Sequence, residues 1–172
     1  MIVILMGVSG AGKTTVGQLL ASRLGWEFAD ADDYHSASNV EKMRSGIPLT
    51  DADRAPWIAT LRSLIAGWIK AEKNAVLACS ALKRTYRETL QVSAEVKIVY
   101  LKGSPKLLQQ HLHSRLGHFM TEQMLASQLA ALEEPDHAVV VDVDASPRRD
   151  RRQSPGEHRL PKKFIDPSLR SG

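Results

Sequence analysis

The apolar run Met1 to Met6 passes directly into Gly7-Val8-Ser9-Gly10-Ala11-Gly12-Lys13-Thr14, and this junction restricts the chain more than any other feature. Glycines in such a turn let backbone N–H groups converge on an anion without side chains in the way. A helix starting at its far end adds the partial positive charge of its N-terminus. The spacing Gly-x4-Gly-Lys-Thr between a buried strand and an amphipathic helix is that of a loop cradling nucleotide phosphates. Gly7, Ser9, Gly10, Ala11, Gly12, Lys13, Thr14 and Thr15 are therefore the candidate nucleotide-binding residues. Lys13 is expected to reach the β- and γ-phosphates of ATP, and Thr14 to offer its hydroxyl to Mg²⁺. The competing reading is a glycine-rich turn that contains lysine by chance, a match expected in roughly one chain in a hundred of this length from average composition.

The rest of the chain alternates apolar runs with helical patterns. After the loop, 13–24 reads as a helix with Val16, Leu19, Leu20 and Leu24 on one face, stopped by Gly25. Residues 27–31 read as a second strand, 34–45 as helical, and Gly46-Ile47-Pro48 as a turn. Thr50, Asp51 and Asp53 are candidate caps for a helix to Lys70, in which Trp57, Leu61, Leu64, Ile65 and Trp68 recur at core spacing. Residues 75–79 and 97–101 read as buried strands separated by a helix over 82–90. Residues 105–132 read as helical with an interruption at Gly117, and 138–143 as a fifth strand. Strands alternating with helices predict one α/β domain, a five-stranded parallel sheet with helices on both faces.

Composition narrows the function. A chain of 172 residues accommodates one domain, and its 5% aromatic content argues against a base-stacking surface. The net charge of +4 suggests a nucleic-acid partner until it is divided along the chain. Residues 1–144 carry 15 Lys and Arg against 16 Asp and Glu, whereas 145–172 carry 8 against 3, so the basicity belongs to the tail. The apolar run at Met1 to Met6 has no basic leader and is too short to span a bilayer, which reads as neither signal peptide nor membrane anchor and predicts a cytoplasmic protein. The single cysteine, Cys79, sits in an apolar run and reads as a buried, inert thiol.

The acceptor of the phosphate has to be argued from other residues. The second strand ends at Asp30-Ala31-Asp32-Asp33-Tyr34-His35, which puts carboxylates at the carboxyl end of a strand, where open α/β sheets bind ligands. On an extended segment, Asp30 and Asp32 point the same way, so one can hold Mg²⁺ through water while the other orients an acceptor hydroxyl. A solvated acidic loop is the alternative.

With these segments, Gly46-Ile47-Pro48-Leu49-Thr50-Asp51-Ala52-Asp53-Arg54-Ala55-Pro56-Trp57, Cys79-Ser80-Ala81-Leu82-Lys83-Arg84-Thr85-Tyr86-Arg87 and Gly117-His118-Phe119-Met120, the chain resembles the gluconokinase family from residue 1 to about 144. The resemblance implies a P-loop NTPase fold of the nucleoside-monophosphate-kinase type with a small helical lid at about 111–125. It implies transfer of phosphate from ATP to the 6-hydroxyl of D-gluconate, with Mg²⁺, and a homodimer. Asp32 is then the group that orients or deprotonates the hydroxyl, with Asp30 beside the metal and His35 a polar partner. Arg54, Lys83 and Arg87 become cations for the substrate carboxylate. In the lid, Arg115 covers the transferring phosphate, and His118 is a weaker substrate-binding candidate. Each cation has a plainer reading: Arg54 pairs with Asp51 or Asp53, and Lys83 and Arg87, four apart, form a solvated helix face.

The resemblance fails at the end. Family members continue from the turn Asp142-Val143-Asp144-Ala145-Ser146-Pro147 into a covering helix, whereas residues 145–172 here form a basic, proline-containing tail without apolar periodicity, which reads as disordered. Two other functions stay open at this point: a different small-metabolite P-loop kinase, of the shikimate type, and a weakened nucleotide-binding protein whose tail contacts nucleic acid.

Overall fold

A strand buried at all of its positions requires cover on both faces of its sheet, and Ile2–Met6 (β1) is such a strand. In the computed structural model, which describes residues 1–113 and 122–145, β1 lies at the centre of a five-stranded sheet. Glu27–Asp30 (β2) is at one edge, followed by Ala75–Ala78 (β3), β1, Val96–Lys102 (β4) and Val139–Asp142 (β5). Every pairing is parallel, with Ile2 opposite Ala75 on one side and Val96 on the other. All carboxyl ends therefore face one rim of the sheet, the rim that carries the phosphate loop.

The pleat divides β1 between two cores. Ile2, Ile4 and Met6 pack with Trp57, Leu61 and Ile65 of the helix Asp51–Lys70, while Val3 and Leu5 pack with Leu20 and Ala21 of the helix Lys13–Leu24 (α1). Four further helices among the described residues join these layers, and in chain order the set is α1, Ala37–Arg44 (α2), Asp51–Lys70 (α3), Arg84–Leu90 (α4), Pro105–His113 (α5) and Glu122–Ala131 (α6). Leu108 of α5 and Leu125 of α6 complete the second core. No helix among the described residues is long and apolar enough to cross a membrane.

Two local expectations need correcting. In α1 the buried residues are Gly17, Leu20 and Ala21, whereas Leu19 is 41% and Leu24 36% exposed. The helix meets the sheet through its smallest residue: a Cβ at Gly17 would lie 2.6 Å from Cε2 of Phe28. A pattern of large apolar residues cannot reveal a contact made by glycine. The second strand, expected over 27–31, ends at Asp30 and Ala31–Tyr34 form a 3-10 turn, while the helical stretch expected over 34–45 holds α2, with Ser36 as N-cap accepting from Asn39 N–H.

The α3 stripe is as expected, with Ile58 added and Leu64 at its margin. Its start is a capping box in which the Thr50 hydroxyl accepts from Asp53 N–H and the Asp53 carboxylate accepts from Thr50 N–H. Buried Asn39 donates to the Asp53 carbonyl at 2.8 Å, and Lys42 Nζ lies 2.6 Å from Asp53 Oδ1, so α2 is fastened to the first turn of α3. At the other edge, Val139 and Val140 of β5 are 44% and 45% exposed. The lid reading at residues 114–121, with Arg115 and His118, and the tail reading beyond Ala145 lie outside the described residues.

Candidate active site

The phosphate loop connects β1 to α1 in a conformation that only its glycines permit. Gly7 and Gly10 have φ of 147° and 86°, and a Cβ at either would lie 2.7 Å from a backbone carbonyl oxygen, of Leu101 and Leu108 respectively. Gly12 precedes the first residue of α1, so the helix opens on Lys13, Thr14 and Thr15 at the rim. Lys13 Nζ donates to the Val8 carbonyl at 3.2 Å, Gly7 N–H donates to the Ser80 carbonyl after β3, and Ser9 N–H donates to Gln128 Oε1 at 2.8 Å. His111 Nδ1 lies 2.8 Å from the Gly10 carbonyl oxygen. Helices α5 and α6 are thus both tied to the loop.

The acidic turn stands beside it. Thr14 Oγ1 donates to Asp30 Oδ2 at 2.6 Å, joining the start of α1 to the end of β2. Asp30 Oδ1 accepts from Asp32 N–H, making Asp30 the cap of the 3-10 turn. Asp30 and Asp32 therefore do not lie side by side on an extended strand: the chain turns between them. Asp32 lines the cleft with Lys13 and His35 and its residue stays exposed to solvent. Desolvation raises its carboxyl above the ordinary value; Lys13 opposes that shift and the Asp30 charge adds to it.

His35 closes the turn against α3. Its ring stacks on Trp57 with centroids 4.4 Å apart, and the Trp57 indole N–H donates to the Ala31 carbonyl at 2.7 Å. Burial lowers the His35 pKa; Asp32 works against that shift and Arg54 with it, so the ring is neutral near pH 7. Its Nδ1 is buried without a hydrogen-bond partner, and the residue lines the cleft together with Lys13, Asp32 and Arg54.

Next to this cleft is a cavity of about 320 Å³, lined by Leu49, Asp51, Arg54, Lys83 and Gln128 among others. Arg54 borders both spaces. Lys83 Nζ lies 2.6 and 2.8 Å from the two Asp51 oxygens, Tyr86 donates its hydroxyl to Asp51, and Arg54 NH1 is 3.8 Å from Asp51. The plain pairing of Arg54 with Asp51 is present, and the same residue still faces the cleft. Lys83 is the N-cap of α4 rather than part of a helix face.

Arg87 differs from expectation. It is 5% exposed, and its NH1 donates to the Ala81 and Leu82 carbonyls at 3.0 and 2.9 Å. Ala81 has φ of 43°, an unfavourable region for a residue with a Cβ, and the buried guanidinium holds that turn in place. Arg87 therefore supports the loop that presents Lys83, and borders neither space. Gln128 and Tyr86 were not identified from sequence. Gln128 lies in a helix of ordinary amphipathic pattern, and Tyr86 carries no spacing signal that separates it from a surface tyrosine.

The described residues contain no group of three or more His, Cys, Asp or Glu able to hold a metal by themselves. Cys79 is buried, and desolvation pushes its thiol up to about 12, which makes it unreactive.

The family model for the AAA domain matches residues 2–135. A gluconokinase of Gluconobacter oxydans is 51% identical, with 77% of this chain and 75% of that protein covered. A probable gluconokinase of Xenopus tropicalis is 44% identical, with 84% and 86% covered. Among solved structures, a gluconokinase from Sinorhizobium meliloti superposes with a TM-score of 0.75 at 43% identity, over 84% of this chain and 83% of that one. With a phosphate loop, an acidic turn and a cation-lined cavity on one rim of the same sheet, the chain belongs to the gluconokinase family.

Proposed function

We propose that the protein is an ATP-dependent gluconate kinase producing 6-phospho-D-gluconate. The observation that carries this reading is the shared border at Arg54: a phosphate loop with Lys13 and Asp32 on one side, and a cation-lined cavity on the other. A linear sugar acid has its carboxylate at one end and its primary hydroxyl at the other, and the two spaces offer matching chemistry.

In this mechanism the loop N–H groups and Lys13 hold the β- and γ-phosphates. The 6-hydroxyl oxygen attacks the γ-phosphorus, the new O–P bond forms as the bond to the β,γ-bridging oxygen breaks, and ADP leaves. The hydroxyl proton passes to Asp32, whose raised pKa makes it a better base than an ordinary surface carboxylate. His35 faces the substrate hydroxyls from its stack on Trp57. Arg54 and Lys83 attract the carboxylate, and Arg115 with His118 belongs to the same proposal through the family resemblance. Thr14 and Asp30 present only oxygen donors, 2.6 Å apart, a set that suits Mg²⁺ bound together with phosphate oxygens. When bound, that ion neutralises charge on the phosphates.

A homodimer and a cytoplasmic location are part of this reading, as is a kinase domain without a nucleic-acid partner, which the near-neutral charge of residues 1–144 supports. Coupled ADP release with gluconate, shikimate and nucleoside monophosphates tests the acceptor, and sedimentation tests the dimer. Gluconate-dependent turnover that is lost in Lys13→Ala and Asp32→Asn is expected. Absence of any gluconate-dependent signal, or activity untouched by Lys13→Ala, would refute the reading.

A further inference from the structure

We propose that Asp51 is an internal competitor of the substrate carboxylate, holding Lys83 and Arg54, the two cations assigned to that carboxylate, together with Tyr86, and that it thereby sets the enzyme's selectivity for acidic over neutral polyols. The inference rests on the gluconate reading and extends it to a residue that reading does not use.

Three groups from two helices converge on this one carboxylate. Lys83 Nζ contacts both oxygens at 2.6 and 2.8 Å, Tyr86 donates its hydroxyl, and Arg54 approaches at 3.8 Å. The Asp51 side chain is nevertheless 61% exposed and lies at the wall of the 320 Å³ cavity. Hydrogen bonds from Lys83 and Tyr86 lower its pKa, so it is charged at neutral pH. The capping box of α3 is formed by Thr50 and Asp53 without it, and Asp51 adds only its charge to the first turn. What remains for the side chain is charge balance. Lys83 and Arg54 together carry two positive charges, and Asp51 cancels one.

An exposed ion pair of this kind holds weakly, because solvent screens it and its side chains lose entropy in forming it. A carboxylate arriving on a substrate that is also gripped along its polyol can therefore replace Asp51 at Lys83 and Tyr86. A neutral polyol has no charge to offer in exchange, so the Asp51 contacts stay and Lys83 and Tyr86 remain engaged, withheld from its hydroxyls. Selectivity arises here from a built-in competitor as well as from attraction.

The test compares wild type with Asp51→Asn and Asp51→Ser in steady-state kinetics with ATP and gluconate, after thermal melts have identified which variant is folded. Removing the competing charge is expected to lower KM for gluconate about threefold, the size of one exposed ion pair, with the change in KM rather than kcat. The effect should disappear in a Lys83→Met background. A role as acceptor for substrate hydroxyls makes the opposite prediction, and a raised or unchanged gluconate KM in the folded variants overturns the proposal. If wild type ignores gluconate and uses another acidic acceptor, the gluconate reading fails alone and the same KM comparison applies to that acceptor. Preference for a neutral acceptor overturns both.

Discussion

Trp57 lies against His35 with ring planes 14° from parallel, and the same indole donates to the Ala31 carbonyl at 2.7 Å. One residue of α3 thus fixes both ends of the turn that carries Asp32. Trp57→Phe keeps a stacking ring but leaves the Ala31 carbonyl oxygen without its donor, an expected loss of about 1–3 kcal/mol. Trp57→Ala, which also opens a cavity, is expected to cost about 3–5 kcal/mol. Urea denaturation measures both. Because the turn loosens before the fold is lost, Trp57→Phe should also raise KM for gluconate more than KM for ATP.

Asp32 links activity to pH. Its folded-state pKa stands above the ordinary 3.8, mainly through desolvation, and the proposed base must be unprotonated. The acid limb of kcat/KM is therefore expected above the ordinary Asp value of 3.8. The folding linkage has the opposite sign: between the unfolded and folded pKa values the native state holds the extra proton, so stability falls as pH rises through that window. Asp32→Asn should lose about 10²–10⁴ in kcat, yet melt at a higher temperature than wild type at pH 7. A melting temperature equal to or below wild type would show that desolvation of this exposed carboxylate does not weaken the fold.

His35 gives the reverse profile. Its folded pKa is depressed below 6.5 by burial, so in the window beneath 6.5 the unfolded chain binds a proton that the native state rejects. The stability due to this group is complete above pH 6.5 and is lost as pH falls through the folded value. Denaturation midpoints at pH 7.5 and 5.5 should differ more for wild type than for His35→Gln, and equal pH dependence in the two would remove His35 as the cause.

Legibility in the sequence followed the range of the signal. The phosphate loop and the strands are local: Gly7 to Thr14 and the apolar run before them declare their geometry within a dozen residues. The α3 stripe is equally plain, because Trp57, Leu61, Ile65 and Trp68 repeat at helical spacing. What could not be read was settled by contacts between distant segments. Gly17 against Phe28 turned α1 away from the face its large residues suggested, and the hydrogen bond from Asp32 N–H to Asp30 curled a segment that alternation treats as extended. Arg87 looked like a site cation because charge is visible in sequence and burial is not. Gln128, 119 positions from Ser9, had no sequence signal at all.

The hydrogen bond from Thr14 to Asp30 leads to the final expectation. Thr14 belongs to the first turn of α1 and Asp30 to the end of β2, and their 2.6 Å contact brings two hard oxygen donors together beside the phosphate loop. If they hold Mg²⁺ together with ATP, chelation by EDTA should abolish turnover and added Mg²⁺ restore it. Thr14→Ala should weaken Mg²⁺-dependent activity on the order of 10–100-fold, while Thr14→Ser, which keeps the hydroxyl, should retain most of it. Asp30→Asn separates the metal role from the structural one. The amide oxygen can still accept from Asp32 N–H and preserve the turn, so a folded Asp30→Asn protein that needs more Mg²⁺ for half-maximal rate would assign the carboxylate to the ion. Unchanged Mg²⁺ dependence would confine Asp30 to capping the 3-10 turn and holding the Thr14 hydroxyl.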